Sequence, residues 1–205
     1  PGMMETVLNV GSVPGTPEHD RFSAMYMKVV GEPASADPRT ALVGCVIAVL
    51  RSWDSPRARA YRDAQGIPHV SGTHGAAGTA VTIQEMVLGT ASDDSATGVL
   101  FSRDPKTGAP VVTGEVLRRA QGEDVVAGTR TPEPLVRLAD WAPDAYAALL
   151  DAVGVLERHY RDAQDVEFTI EKGHLYILQT RGAKMSATAA VRIAVDLAQE
   201  GTITE

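Results

Sequence analysis

Asp165, Glu167, Thr169, Gln179 and Arg181 are the side chains of this 205-residue sequence whose types and spacing could do chemistry together. They fall in the stretch from Asp165 to Arg181, where two runs rich in β-branched and aromatic residues flank Glu171-Lys172-Gly173. That is the composition of a β-hairpin, with glycine supplying the positive φ of a tight reversal. With Ile170 opposite His174, the spacing predicts that Val166, Phe168, Ile170, Tyr176 and Leu178 share a core face. The polar five share the other, because residues two apart on a strand point the same way. Two carboxylates, an amide and a guanidinium on one surface suit a Mg2+ ion holding phosphate oxygens, with the arginine forked onto those oxygens. An antiparallel hairpin with one solvated side alternates in the same way, so the pattern alone leaves both readings open.

The elements that must position this hairpin follow from caps and periodicity. Met4 to Val10 reads as a short strand or extended segment ended by Gly11. Thr16-Pro17 starts a helix that turns Phe22, Met25, Tyr26 and Val29 inward and ends at Gly31. After a linker from Glu32 to Pro38, Asp37 caps an apolar helix running to about Trp53, and Ser55-Pro56 opens a basic one whose Arg57, Arg59 and Arg62 read as a solvated face. Ser71 to Gly78 is Gly-rich but fits no phosphate-loop pattern, and His74 reads as a surface loop residue. From Thr79 the texture becomes strand-dominated: Ala80 to Gly89, Ala96 to Ser102 and Pro110 to Leu117 read as strands. Thr90 to Gly98 is a small polar turn, in which backbone N–H groups and the hydroxyls of Ser95 and Thr97 could cover phosphates, although a plain hairpin turn reads the same. Helices from Pro143 to about Arg161 and from Ala187 to Glu200 complete the chain.

Composition narrows the classes. With 44% hydrophobic and 22% charged residues the chain is globular, and a net charge of −7 argues against a general binder of nucleic acid or anionic membrane. The apolar run Ala41 to Leu50 is too short to span a bilayer, and no cleavable signal is recognised, so a reducing cytoplasm is the expected location. The single cysteine, Cys45, offers neither a disulfide framework nor a thiolate metal site and reads as a small core residue. The opening at Pro1-Gly2-Met3-Met4 and the close at Thr202 to Glu205 read as those of a piece of a longer protein.

Five ordered strings then point to a family: Pro1-Gly2-Met3-Met4-Glu5-Thr6-Val7-Leu8-Asn9, Gln84-Glu85-Met86-Val87, Ser95-Ala96-Thr97-Gly98-Val99, Ala120 to Gly128, and Gln164 to Ile170 followed by Leu178-Gln179-Thr180-Arg181. Together they resemble the nucleotide-binding domain of pyruvate phosphate dikinase, over Pro1 to about Leu8 and Asp37 to Glu205. The resemblance implies an α+β, ATP-grasp-like fold, an antiparallel sheet with packed helices plus a remnant of the first subdomain, and ATP lying between two subdomains. It implies that residues 1–78 are that remnant, with a shortened helical insert at about 12–42. Residues 79–183 would be the second nucleotide-binding subdomain, and 184–205 a helix leading to a linker.

Residue by residue, the resemblance implies that Gln84, Glu85, Met86 and Val87 meet adenine, that Thr97 and Gly98 form the loop over the phosphates, and that Glu115 and Glu123 line the nucleotide cleft. Gly2 and Met4 match positions that close it. Asp165, Glu167 and Gln179 match metal ligands, and Arg181 joins Glu167 and Gln179 in the catalytic cluster. The cofactors implied are ATP and Mg2+. In the whole enzyme, ATP and phosphate phosphorylate a histidine on a mobile domain, with AMP and pyrophosphate released, and the phosphoryl group passes to pyruvate, giving phosphoenolpyruvate. Implied partners are therefore ATP, phosphate, the phosphohistidine domain and the pyruvate domain, in a parent that can be homodimeric.

The family's Lys and Ser-Val-Arg-Ser-type segment precede Pro-Gly-Met-Met, and its histidine, in a Gly-Gly-x-Thr-Ser-His context, would follow Glu205. These 205 residues alone are thus expected to lack complete turnover. Two other readings are a water-dikinase (phosphoenolpyruvate synthase) type domain, which the string Ala120 to Pro132 disfavours, and a non-catalytic nucleotide-binding or regulatory module, which the retained carboxylates disfavour.

Overall fold

The computed structural model describes residues 4–67, 79–127 and 130–204. The chain divides into two compact units, Pro1–Met86 and Val87–Glu205. Gly2, His74 and the Gly-rich stretch 71–78 lie outside the described residues.

The first unit is helical: α1 (Pro17–Val30), α2 (Pro38–Ser52) and α3 (Pro56–Gln65). Each helix opens on a proline behind a capping side chain. Thr16 accepts from the His19 N–H, Asp37 from Thr40 and Ser55 from Ala58, which satisfies donors a helix start leaves open. Phe22 and Tyr26 of α1 pack against Ala41 and Cys45 of α2. Gly44 permits that approach, since a Cβ there would collide with the Tyr26 hydroxyl. Cys45 is the core residue expected, and burial pushes its thiol pKa up.

Two expectations for this unit fail. Arg57 and Arg59 are solvated, each with 59% of its side chain exposed, but Arg62 is buried. One turn along from the buried Ala58, it faces inward, stacks 4.1 Å from the Trp53 ring and donates to the Trp53 carbonyl at the end of α2. The strand expected over Ala80 to Gly89 is absent: residues 80–88 are irregular and Gly89 lies in a turn. Alternation of side chains along a stretch is shared by an extended chain that joins no ladder.

The second unit is built on one antiparallel sheet in the order β3-β2-β1-β4-β5, from β1 (Ala96–Phe101), β2 (Thr113–Arg118), β3 (Glu133–Pro134), β4 (Gln164–Glu171) and β5 (His174–Gly182). Between β2 and β3 lies α4 (Gly122–Ala127); a 3₁₀ turn (Leu135–Arg137), α5 (Leu138–Trp141) and α6 (Pro143–Tyr160) lead to β4, and α7 (Ala187–Gln199) follows β5. Ala145, Leu149 and Val153 of α6 pack with Leu138 on Leu100, Val116, Val166, Phe168 and Ile170. Burying each of the larger of these side chains is worth about 1.5–3 kcal/mol, so this face fixes the strands. The fold is α+β, an antiparallel sheet with helices packed on it.

The end of this unit is tied down by Arg103, which is 4% exposed. Its guanidinium meets Glu157 of α6 at 2.8 Å and clasps both carboxylate oxygens of Glu200, beyond α7, at 2.5 and 3.1 Å. The hydrogen bonds from Arg103 hold the Glu200 carboxyl below the usual carboxylate range. A depressed folded pKa contributes stability that is full above the unfolded carboxylate value and is lost as pH falls through the folded one. Glu200→Gln is therefore expected to destabilise the chain in urea unfolding at pH 7, with the difference from wild type shrinking towards pH 3; a difference independent of pH would contradict this.

Candidate functional site

The β4–β5 hairpin turns on Lys172-Gly173, both with positive φ (+50° and +81°), the pattern of a two-residue type I′ turn. That pairs Glu171 with His174 and Ile170 with Leu175, one residue off the expected register. A β-bulge then leaves Leu178 without a partner: Phe168 pairs with Ile177, but Glu167 pairs with Gln179 and Asp165 with Arg181. The expected polar set therefore stands, while two core-face assignments are overturned. Tyr176 faces with Thr169 on the polar side and is 43% exposed, and Leu178 sits in the bulge, 48% exposed.

Directly paired residues point to the same side of an antiparallel sheet, so the register assembles the face in rows. Thr113, Phe101, Asp165 and Arg181 form one; Glu115, Val99, Glu167 and Gln179 the next; Leu117, Thr97, Thr169 and Tyr176 the third. In the first row the Arg181 Nε donates to Asp165 Oδ2 at 2.7 Å; Asp165 is buried while Arg181 keeps 44% of its side chain exposed. In the second, Glu115 is exposed and Glu167 half-buried, roughly 10 Å apart across Val99 by two strand spacings. A cavity of about 260 Å3 opens beside Arg181, lined by Tyr160, Asp162, Gln164, Thr180, Arg181 and Gly182. Among the described residues no group of three or more His, Cys, Asp or Glu side chains gathers to hold a metal ion. Instead the Asp165 and Glu167 carboxylates and the Gln179 amide sit on neighbouring rows of β4 and β5, with Glu115 two strands from Glu167.

The other expected residues are placed as follows. Thr97 and Gly98 lie inside β1 rather than in a loop. The Thr97 hydroxyl donates to the Phe168 carbonyl at 3.2 Å and accepts from Thr169 at 3.3 Å, and the Ser95 hydroxyl accepts from the Ser92 and Lys172 N–H groups. Both hydroxyls are thus engaged in holding the hairpin tip and the turn before β1. Gly98 is required by packing, because a Cβ there would lie 2.5 Å from both the Glu115 carbonyl oxygen and the Phe168 ring. Glu123 lies in α4, half-buried. Met4 is half-buried near Ser52, Gln84 and Glu85 are exposed, and the sulfur of Met86 accepts from the Asn9 N–H; these four belong to the first unit, and Val87 begins the second. Unremarked as members of the face were Thr113, Val99 and Phe101, while Tyr176, expected on the core side, joins it. The period-2 phase of β1 against β4 is the signal that contains Val99 and Phe101, and the phase of β2 against β1 the one that contains Thr113.

An antiparallel sheet with helices packed on one face is consistent with an ATP-grasp-like, nucleotide-binding class of protein. The pattern of the family described as pyruvate phosphate dikinase, AMP/ATP-binding domain, matches residues 1–143 and 138–202, and the chain belongs to that family. It is 50% identical over 187 residues to pyruvate, phosphate dikinase of Clostridium symbiosum, covering 91% of this chain and 21% of that protein. It is 45% identical over 184 residues to the chloroplastic pyruvate, phosphate dikinase 1 of Arabidopsis thaliana (90% and 18%), and 45% over 197 residues to the enzyme of Rhizobium meliloti (90% and 21%). The chain thus spans about one fifth of the length of the curated relatives it matches.

Gly98→Ala tests the close approach on which these rows depend. Because the obstructing atom is backbone of the neighbouring strand, the variant is expected to lose about 1–3 kcal/mol in denaturant unfolding; an unchanged midpoint would contradict the packing described.

Proposed function

We propose that the polar face of the second unit binds Mg·ATP and that this chain is the nucleotide-binding part of a pyruvate phosphate dikinase. In the complete reaction, ATP and phosphate phosphorylate a histidine on a mobile domain, releasing AMP and pyrophosphate, and pyruvate becomes phosphoenolpyruvate. The observation that carries this reading is the pair of adjacent rows Asp165–Arg181 and Glu167–Gln179, in a chain whose family is an AMP/ATP-binding domain. On the same reading, residues 79–183 are the second nucleotide-binding subdomain, Glu115 and Glu123 line the site, and the backbone of Val87, Thr97 and Gly98 borders it.

The residues divide the work. Arg181 is steered by Asp165 through its Nε, which leaves the terminal guanidinium nitrogens to fork onto phosphate oxygens. The Glu167 carboxylate and the Gln179 amide oxygen, with Asp165, are hard oxygen donors of the kind Mg2+ takes. That ion uses one or two carboxylates and completes its shell with substrate phosphates and water, so an open set fits it without a closed cage. When bound, Mg2+ would neutralise charge on the oxygens of the transferring phosphoryl group. The buried rows of the opposite face hold these donors on strands, so that little reorganisation remains when the nucleotide arrives.

Among the described residues no helix is long and apolar enough to cross a membrane. The cytoplasm is the location proposed, supported by a single cysteine that is free and buried.

Calorimetric titration of Mg·ATP into the chain tests the reading. Glu167→Ala and Gln179→Ala are each expected to weaken binding about tenfold or more while the far-UV circular dichroism stays unchanged, since each removes a ligand to a charged group. Undiminished binding in both folded variants would contradict it.

A further inference from the structure

Val191 is the most exposed large apolar side chain among the described residues, with 68% of its surface open, and Val195, one turn on, has 49% open. Both lie on α7, whose other side is already docked: Ala189, Ile193 and Leu197 are buried with Ala163, and Ala183, Met185 and Ile203 pack around them. At about 100° per residue, the apolar positions from Ala187 to Ala198 take up roughly two thirds of the helix circumference. Thr188, Arg192, Asp196 and Gln199 share the remaining strip, where Arg192 and Asp196 meet at 3.6 Å. No charge therefore stands on the apolar arc. The body of the unit covers only the part of it centred on Ile193, and Ala187, Ala190, Val191, Ala194 and Val195 stay exposed. A helix apolar around most of its girth is suited to being covered on more than one side.

The open face is held still at both ends. The Ser186 hydroxyl, which caps α7, donates to the Lys106 carbonyl at 2.9 Å, and the Ser186 N–H donates to the Pro105 carbonyl at 3.0 Å. At the other end Arg103 clasps Glu200.

Size and chain path limit what can cover this face. It is about 20 Å long and 10 Å wide, well short of the roughly 800 Å2 per partner that a stable complex of separate chains buries. A tethered segment needs no such area, because it arrives at an effective concentration in the millimolar range. The chain leaving α7 is directed back towards the helix. Gly201 takes a φ of +73°, the Thr202 and Ile203 N–H groups both donate to the Leu197 carbonyl, and Ile203 joins the Leu197 cluster. Thr202-Ile203-Thr204-Glu205 also has the S/T-x-x-E spacing that opens a helix, whose first N–H groups have no partner within it. In the relatives, about four fifths of the polypeptide lies outside the part this chain matches.

We propose that, in the longer protein, the segment opening at Thr202 forms a helix that returns antiparallel along α7 and lays its apolar side on Ala190, Val191, Ala194 and Val195. The turn at Gly201 is then the short loop of a helical hairpin. The hairpin belongs to the nucleotide-binding unit, and a mobile connection to further domains begins only beyond it. This rests on the reading of the chain as part of a dikinase.

Thiol labelling tests it. Val191→Cys and Val195→Cys are made in the 205-residue chain, in the chain extended by about 20 residues of its own reading frame, enough to retrace α7 at about 1.5 Å per residue, and in the full-length protein. Val155→Cys on exposed α6 surface is the control. Maleimide is expected to modify Cys at 191 and 195 at least about tenfold more slowly in the extended chain than in the 205-residue chain, since a covered thiol reacts only on local opening, while the control rate is unchanged. Equal rates at both lengths overturn the proposal. Protection seen only in the full-length protein assigns the face to a remote domain, and protection that grows with the concentration of the 205-residue chain assigns it to a second copy; each overturns it. A reading frame that closes at Glu205 does so as well. Calorimetry with Mg·ATP, in which α7 takes no part, keeps a failure of the nucleotide reading distinct from a failure of the hairpin.

Discussion

Leu178 is the residue of β5 that faces no partner on β4, and its insertion decides which side chains of that strand point which way. Had the register at the turn continued, Glu167 would face Leu178 and Asp165 would face Thr180, with Gln179 and Arg181 carried to the side packed on α6. A strand slipped by one residue exchanges its faces. The bulge supplies that slip within the strand, so the tip of the hairpin keeps its tight type I′ turn while the far half presents the amide and guanidinium beside the two carboxylates. The ion pair of Asp165 and Arg181 at 2.7 Å exists only in the shifted register.

The rest of the second unit holds that hairpin in place. Val166, Phe168 and Ile170 are fully buried against α6, and Gly98 lets β1 lie close to Phe168 and to the Glu115 carbonyl. At the tip, the turn before β1 grips the hairpin through Ser95 and through the Asp94 carbonyl, which accepts from the Gly173 N–H. Hydrophobic burial on one side therefore fixes the positions of charged groups on the other, which is how a strand-borne site stays ordered where loops would move.

Much of this was legible in the sequence, for reasons that also explain the failures. Caps with prolines behind them marked where α1, α2 and α3 begin, because an Asp, Ser or Thr before proline acts locally. The polar set of the hairpin was also right, although its register was not. The turn differs from the expected one by one residue and the bulge by another, and two shifts of one restore a period of two. Between turn and bulge only the first shift applies, which is why Tyr176 was misplaced. The partners of Arg62 are set by the crossing of α2 and α3, so charge alone suggested solvent. Ala80 to Gly89 alternates as a strand does, but alternation carries no information about whether the stretch joins a ladder.

The proposed place of the nucleotide's metal-bound phosphates is the face formed by the rows of Asp165 and Glu167. Paramagnetic relaxation of backbone amides by Mn2+·ATP, with Mn2+ standing in for Mg2+ at oxygen donors, measures this directly. The amides of Glu167, Gln179 and Arg181 are expected to broaden first and most strongly at substoichiometric Mn2+. Broadening centred instead on the α1–α2 groove around Lys28 and Arg51, with the hairpin unaffected, would contradict it.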